Sequence, residues 1–345
     1  MASTALADGV PPAVADWLAG GLPEAEPPFA ADRISGGYSM LTYRVTDRAG
    51  RAWALRHPPA GRHSGRAHDV DREARAMAAL DGTPVPVPRV RLVGTAADPL
   101  GLPCHVTDFV DGHVLGDAAA ATRLLDPAAL RTASLDVVST LAALHTVDPD
   151  AVGLGDLGPG RAYLQRQLHR WRGVIAEAAR GGAEERGERL AAIADDLERR
   201  MPRDDARRVV HGDYRLGNAV VGGDGRVRAV LDWELVTLGE PLADVGLLAA
   251  FWDPPAEAML GVRQPTSAAG AAPLAEALDR YATLTGADLA DVDYHHRMAC
   301  WRLAGTALRA WGRYRSGVMG DDVDTSRFLA ACDAWIQLAH EPVRG

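Results

Sequence analysis

At 345 residues, with 47% apolar and 24% charged side chains, the chain can bury a large core and reads as globular rather than disordered. No apolar run approaches the ~20 residues needed to cross a bilayer, and Met1–Val10 lacks the basic start and long apolar core of a secretory leader, so a membrane partner is not expected and the cytoplasm is the expected compartment. A formal charge of −9 argues against nucleic acid as partner, and three scattered cysteines (Cys104, Cys300, Cys332) argue against a disulfide framework or a zinc site.

The first thirty residues are rich in Pro and Ala, with one short helical pattern at Val14–Leu18 and a Pro-rich connection through Pro23, Pro27 and Pro28. Ile34–Val45 reads as strand, Gly turn and returning strand. Backbone amides around Gly36, Gly37 and Ser39 could let a triphosphate approach closely because glycine has no Cβ, although two adjacent glycines alone mean only a hairpin. Trp53–Arg56 alternates as a strand that Pro58-Pro59 ends. Asp69–Leu80 reads as a helix with Val70, Ala74, Met77, Ala78 and Leu80 on its apolar side and Glu73 in its first two turns. Pro84–Pro88 is extended, and Arg89–Gly94 and Cys104–Phe109 read as strands flanking a turn.

The rest is mostly helical. Leu130–His145 is strongly periodic, with His145 placed for a capping role at its end. Tyr163–Ala179 and Glu184–Met201 are amphipathic around Gly181-Gly182. Pro254–Ala272 reads as a mobile loop near the substrate cleft. Pro273–Gly286, Asp291–Tyr314 and Asp321–Ala339 complete the helices. His295 and His296 point to different faces of their helix, which argues against a shared metal. Interleaved Arg and Trp on that helix suit either core packing or the phosphates of a coenzyme A thioester.

Between these helices, residues 209–233 carry the densest chemistry. Val209-Val210 leads into a loop with His211, Gly212, Asp213 and Asn218; Ala219–Val221 reads as a strand, Gly222–Gly225 as a hairpin turn, and Val227–Leu231 as a return strand ending on Asp232. Three oxygen-bearing side chains, Asp213, Asn218 and Asp232, brought to one end of a hairpin would suit a hard cation with its phosphate ligands. His-x-Asp, four residues and then Asn, with an Asp on the next hairpin, is the spacing of kinase catalytic loops.

His-Gly-Asp-Tyr-Arg-Leu-Gly-Asn at 211–218 and Leu-Asp-Trp-Glu-Leu-Val-Thr-Leu-Gly-Glu-Pro-Leu-Ala-Asp at 231–244 make the chain resemble the aminoglycoside phosphotransferase family. Within it, the match is nearest the branch of kinase domains fused to acyl-CoA dehydrogenases. The resemblance implies an α+β, bilobal protein-kinase-like fold. Residues 1–107 would form a mainly β nucleotide-binding lobe, 108–112 the linker, and 113–345 a mainly α catalytic and substrate-binding lobe.

The resemblance also implies roles. Gly36, Gly37 and Ser39 belong to the nucleotide loop, in which Met40 departs from an expected Asn. All 37 basic residues are arginine, so Arg56 stands where a phosphate-holding lysine would be, with Glu73 as its helix partner. Asp108 and Val110 mark the linker backbone beside the adenine. Asp213 orients the acceptor hydroxyl and takes its proton, and His211 shapes the loop through hydrogen bonds to backbone near Asp232. Asn218 and Asp232 hold Mg2+. Asp244 caps its own helix and ties it to the catalytic loop, and Glu240 replaces an expected Asp. The expected reaction moves the γ-phosphate of ATP or GTP to a hydroxyl of a small molecule, such as a hydroxylated metabolite or hydroxyacyl-CoA. An antibiotic phosphotransferase and a non-catalytic nucleotide-binding module are the alternatives. The sequence carries no readable code for the acceptor or for oligomeric state.

Overall fold

A computed structural model describes Leu6 and residues 9–34, 40–59, 67–159, 162–203, 205–315 and 324–343. The chain divides into two compact units, the first made of Met1–Asp111 together with Arg228–Val236, the second of Gly112–Val227 and Thr237–Gly345.

The first unit contains α1 (Pro12–Gly21), β1 (Ala30–Ile34), β2 (Leu41–Thr46), β3 (Ala52–His57), α2 (Ala67–Leu80), β4 (Val90–Gly94) and β5 (Cys104–Asp108). The strands form an antiparallel sheet in the order β1-β2-β3-β5-β4. Strict alternation on β3 buries Trp53, Leu55 and His57 and turns Arg56 to the other face. Trp53 and Leu55 join Val14 and Leu18 of α1, Tyr43, Val45 and Val106 in one apolar core. On β5, His105 stands opposite Arg56 in register. Residues 228–236 are tied in by Val230, whose N–H donates to Pro86 O at 2.8 Å, and by Arg72, which donates to Val236 O at 3.0 Å.

The second unit begins with β6 (His113–Val114), α3 (Ala118–Leu124), α4 (Pro127–Thr146), α5 (Tyr163–Ala179), α6 (Glu184–Arg199), β7 (Arg208–Val210) and β8 (Ala219–Val221). Along the chain β9 (Val227–Val230) follows, and then β10 (Thr237–Gly239), α7 (Leu242–Ala250), α8 (Leu274–Thr285), α9 (Val292–Arg315) and α10 (Ser326–Leu338). β6 pairs antiparallel with β8, and β7 with β10. The turn after β8 closes where Gly222 N–H donates to Arg226 O at 2.8 Å. Its Gly225 has φ 79° and sits so close to α4 that a Cβ would lie 2.1 Å from Ala129 O, so only glycine fits. The helical core gathers Trp301, Leu308 and Trp311 of α9 with Leu168 and Ile175 of α5, Leu190 and Ile193 of α6, and Trp335 of α10.

This is the expected α+β, protein-kinase-like fold, a β-sheet unit followed by a mainly helical one. Three local expectations are corrected. α4 starts three residues before Leu130, because Asp126 accepts the Ala129 N–H at 2.8 Å and Pro127 opens the first turn. Residues 254–272 are not a structureless loop, since they carry 3-10 turns at Ala256–Met259 and Pro265–Ser267 and are anchored by side chains. Gln264 and Thr266 are buried, Thr266 Oγ1 donates to Phe251 O at 3.3 Å, and Trp252 Nε1 donates to Ala272 O at 3.0 Å. His145 is no surface cap: it is buried, its Nδ1 2.7 Å from Tyr281 Oη.

Candidate active site

β7, paired with β10, delivers the chain to a loop anchored by a carboxylate of α7. Val209 and Val210 are buried, and the loop begins at His211, itself wholly buried. Asp244, in the first turn of α7, does not cap its own helix, since Pro241 holds that position. Its carboxylate reaches the loop instead. Oδ2 accepts the His211 N–H at 2.6 Å and Oδ1 the Gly212 N–H at 2.8 Å. His145 Nε2 lies 3.4 Å from the same Oδ2. Burial pushes the Asp244 carboxyl up, but the His145 hydrogen bond, the charges of His145 and His211 and the His211 N–H outweigh it, and it stays below the ordinary carboxylate range.

Beyond this anchor, His211 Nδ1 accepts the Asp213 N–H at 3.2 Å. Tyr214 plugs the loop into the core, donating to Val137 O at 2.7 Å. Gly212 O accepts from Arg302 of α9 at 3.1 Å. A 3-10 turn at Leu216–Asn218 brings Asn218 back so that Nδ2 donates to both Asp213 O and Asp213 Oδ2, each at 2.8 Å. Asp213 is thereby oriented through one carboxylate oxygen while its side chain stays 32% exposed, enough to meet a ligand. Arg215 approaches the same oxygen at 3.9 Å.

In the first unit, four side chains form a second cluster. Arg56 Nε lies 3.2 Å from Glu73 Oε2, and Arg56 Nη2 lies 2.5 Å from Asp232 Oδ1. Glu73 Oε2 also contacts His105 Nε2 at 3.2 Å, and its Oε1 accepts the Trp233 N–H at 3.3 Å. Burial raises the Glu73 carboxyl, yet His105 and Arg56 hold it below its usual range. Burial likewise pushes the Arg56 guanidinium down, and Glu73 and Asp232 raise it further than burial lowers it. Asp232 adopts the left-handed conformation, φ 65° and ψ 59°, which costs a non-glycine residue on the order of 1 kcal/mol and survives where surroundings over-determine it.

The sequence profile of the phosphotransferase enzyme family matches residues 31–286. The chain belongs to that family. It is 34% identical over 221 residues to acyl-CoA dehydrogenase family member 11 of Gallus gallus, covering 64% of this chain and 28% of that protein. The Homo sapiens protein of the same name is 27% identical over 314 residues, covering 89% of this chain and 39% of that protein. The chain thus spans about a third of the length of these curated relatives. Among solved structures, a Ralstonia eutropha JMP134 protein provisionally named an aminoglycoside phosphotransferase superposes with TM-score 0.78 at 26% identity, covering 95% of this chain and 97% of that one. The macrolide 2'-phosphotransferase of Brachybacterium faecium superposes with TM-score 0.59 at 21% identity over 93% of this chain and 97% of that one, a likeness of fold.

Within this phosphotransferase, the residues singled out from the sequence fall into separate groups. His211, Asp213 and Asn218 share one loop of the second unit; Arg56, Glu73 and Asp232 meet in the first. Asp108 ends β5 with its carboxylate bonded to Arg91 Nε at 2.6 Å, and Val110 is half-buried two residues on. Gly36, Gly37 and Ser39 lie outside the described residues. Sequence reasoning overlooked His105, and gave His145 no part beside Asp244. A histidine at either position carries no local signal, because its partner comes from a distant segment.

Proposed function

We propose that this phosphotransferase moves the γ-phosphate of ATP or GTP to a hydroxyl of a small molecule, with a hydroxylated metabolite or a hydroxyacyl-CoA as acceptor. What carries this proposal is the 211–218 loop, where a partly exposed Asp213 carboxylate is gripped by Asn218 on a backbone anchored by Asp244. In that role Asp213 orients the acceptor hydroxyl and takes its proton as the new oxygen–phosphorus bond forms. His211 keeps the loop in shape by accepting the Asp213 N–H.

Arg56, oriented by Glu73, holds the phosphates that are not transferred, with the backbone of Gly36, Gly37 and Ser39 beside them. Backbone groups at Asp108 and Val110 receive the base. Motif spacing assigns Asn218 and Asp232 as the magnesium ligands, and their chemistry fits a hard cation. The Asn218 amide nitrogen is committed to Asp213, which leaves its Oδ1 as the donor atom, and the Asp232 carboxylate supplies hard oxygen donors, of which Oδ1 is shared with Arg56. Magnesium, when bound, neutralises phosphate charge.

The acyl-CoA dehydrogenase names of the relatives favour the hydroxyacyl-CoA acceptor; the macrolide and aminoglycoside enzymes among the structural neighbours favour an antibiotic. ATP consumption measured with aminoglycosides, macrolides and a 4-hydroxyacyl-CoA separates the two. Turnover is expected with the thioester. Magnesium–ATP binding without turnover on any acceptor would instead favour a non-catalytic nucleotide-binding module.

A further inference from the structure

The second unit holds a cavity of about 530 Å³ between the C-terminal halves of α5 and α9. That volume lies within the range of small-molecule sites. Arg180, Arg309, Arg313 and Arg315 line it against a single acid, Glu177. Among the described residues, neither Arg180 nor Arg309 is ion-paired with a carboxylate. Aromatic faces lie beside two of the guanidinium groups: Arg309 lies 5.9 Å from the Trp171 ring centre, and Arg315, which also donates to Gly181 O and Arg180 O, 4.3 Å from that of Trp311. A guanidinium held by a carboxylate is neutralised, whereas one held on an indole keeps its charge for a ligand. Burial, then repulsion from the charges of Arg313 and Arg170, push the Arg309 pKa down, and a bound anion would offset that repulsion.

The cavity floor gives an independent indication. Gly173 of α5 and Gly312 of α9 both line it, and helix-interior glycine costs roughly 1 kcal/mol relative to alanine. Close packing explains Gly305, where a Cβ would lie 2.7 Å from Ile175 Cγ1. It does not explain these two, because a Cβ at Gly173 would meet nothing within 4 Å and one at Gly312 only Ala178 O at 3.9 Å. Their missing side chains leave the floor open.

We propose that this cavity is a binding site for a multiply phosphorylated ligand. Paired guanidinium forks match phosphate oxygens bidentately, and several such groups suit a ligand with more than one phosphate. A chain of side-chain contacts relates the cavity to the loop of Asp213. Arg302, which donates to Gly212 O, shares the Trp171 ring with Arg309, the two guanidinium groups lying 6.0 and 5.9 Å from its centre. At a rise of ~1.5 Å per residue, Arg309 and Arg313 follow Arg302 along α9 by about 10 and 16 Å. A ligand with its phosphates in the cavity and an arm of that length reaches the loop of Asp213, as an acyl group on a coenzyme-A-type carrier would. A free polyphosphate effector shares the same charge chemistry. Only the reach to the acceptor rests on the role proposed for Asp213; binding does not.

Calorimetric titration of the full chain, without nucleotide or magnesium, tests the site with coenzyme A and, separately, inorganic tripolyphosphate. Saturable coenzyme A binding is expected, weakened at least tenfold in Arg180→Glu/Arg309→Glu, with Arg309→Gln as the milder variant should the double one fail to fold. Tripolyphosphate bound with coenzyme A excluded would keep the phosphate site and overturn the carrier assignment. No binding of either probe, or equal affinity in the variants, would overturn the site itself. Coenzyme A binding without transfer to a hydroxyacyl-CoA would count against the proposed reaction and leave the cavity standing.

Discussion

Arg56 Nη2 stands 2.5 Å from Oδ1 of Asp232, a residue 176 positions further along the chain. The guanidinium also lies against Glu73, which is only 2% exposed. Arg56→Ala therefore strands a buried carboxylate and should cost about 3–5 kcal/mol, the usual penalty for breaking a buried pair from one side. Urea unfolding at neutral pH measures it. Arg56→Lys keeps the charge without the two-sided fork and should fall between; a midpoint unchanged by Arg56→Ala would show that the pair contributes nothing.

The clasp of Asn218 on Asp213 leads to a kinetic expectation. Asp213→Ala should lower turnover about a hundredfold or more, the usual size of lost acid–base assistance, with nucleotide affinity retained. Asp232→Ala should instead abolish magnesium-dependent nucleotide binding. If ATP binds the latter variant as it binds the parent, magnesium is not held there.

Asp244 anchors two backbone amides with one carboxylate. Asp244→Ala leaves both N–H groups and the His145 ring without that partner, at a cost of about 3 kcal/mol or more. Hydrogen exchange should report it directly, with the amides of 211 and 212 losing protection before the helices of the core do. Uniform protection across the unit would contradict the anchoring role.

Stability should fall on mild acidification because of His295, whose pKa burial pushes down to about 3. Between the ordinary histidine value of ~6.5 and that depressed one, the unfolded chain binds a proton that the folded chain does not. Stability is therefore full above pH ~6.5 and is lost going down, by up to ~1.4 kcal/mol per pH unit for one proton. His57 and His296 are lowered in the same direction, and the depressed carboxyls of Asp244 and Glu73 extend the loss below about pH 4. His295→Leu should flatten the profile between pH 6.5 and about 4.5 by close to one proton. An identical slope in that variant would exclude His295 as its source.

Two helix glycines should respond in opposite directions to alanine. At Gly246 of α7 a Cβ would lie 2.4 Å from the His295 carbonyl carbon, backbone that cannot give way, so Gly246→Ala should cost about 1–3 kcal/mol. At Gly173 a Cβ meets nothing within 4 Å, so Gly173→Ala should stabilise by about 0.5–1 kcal/mol. Paired thermal melts decide the sign of each.

Much of this was legible in the chain itself. Apolar spacing marks α5, α6, α8 and α9 to within two residues, because a helix is organised by neighbours three and four positions away. The 211–218 motif likewise encloses its own Asp213–Asn218 hydrogen bonds, a contact between residues five apart. The starts of α3 and α4 could have been read from Asp117 and Asp126, which accept the Ala120 and Ala129 amides.

By itself, then, the sequence determined most of the helices and the longer strands, the motif loop and the family, all of which depend on short-range spacing and on residue types in a set order, whereas α3, β6 and β10 were not read from it. Only the tertiary structure decided that residues 228–236 join the first unit, that Asp244 leaves its own helix uncapped while it holds the loop, and that His105 and His145 lie beside Glu73 and Asp244. Such partners are chosen by which distant segments share a desolvated space. A buried carboxylate must find donors wherever the packing brings them, and no local pattern records where that will be.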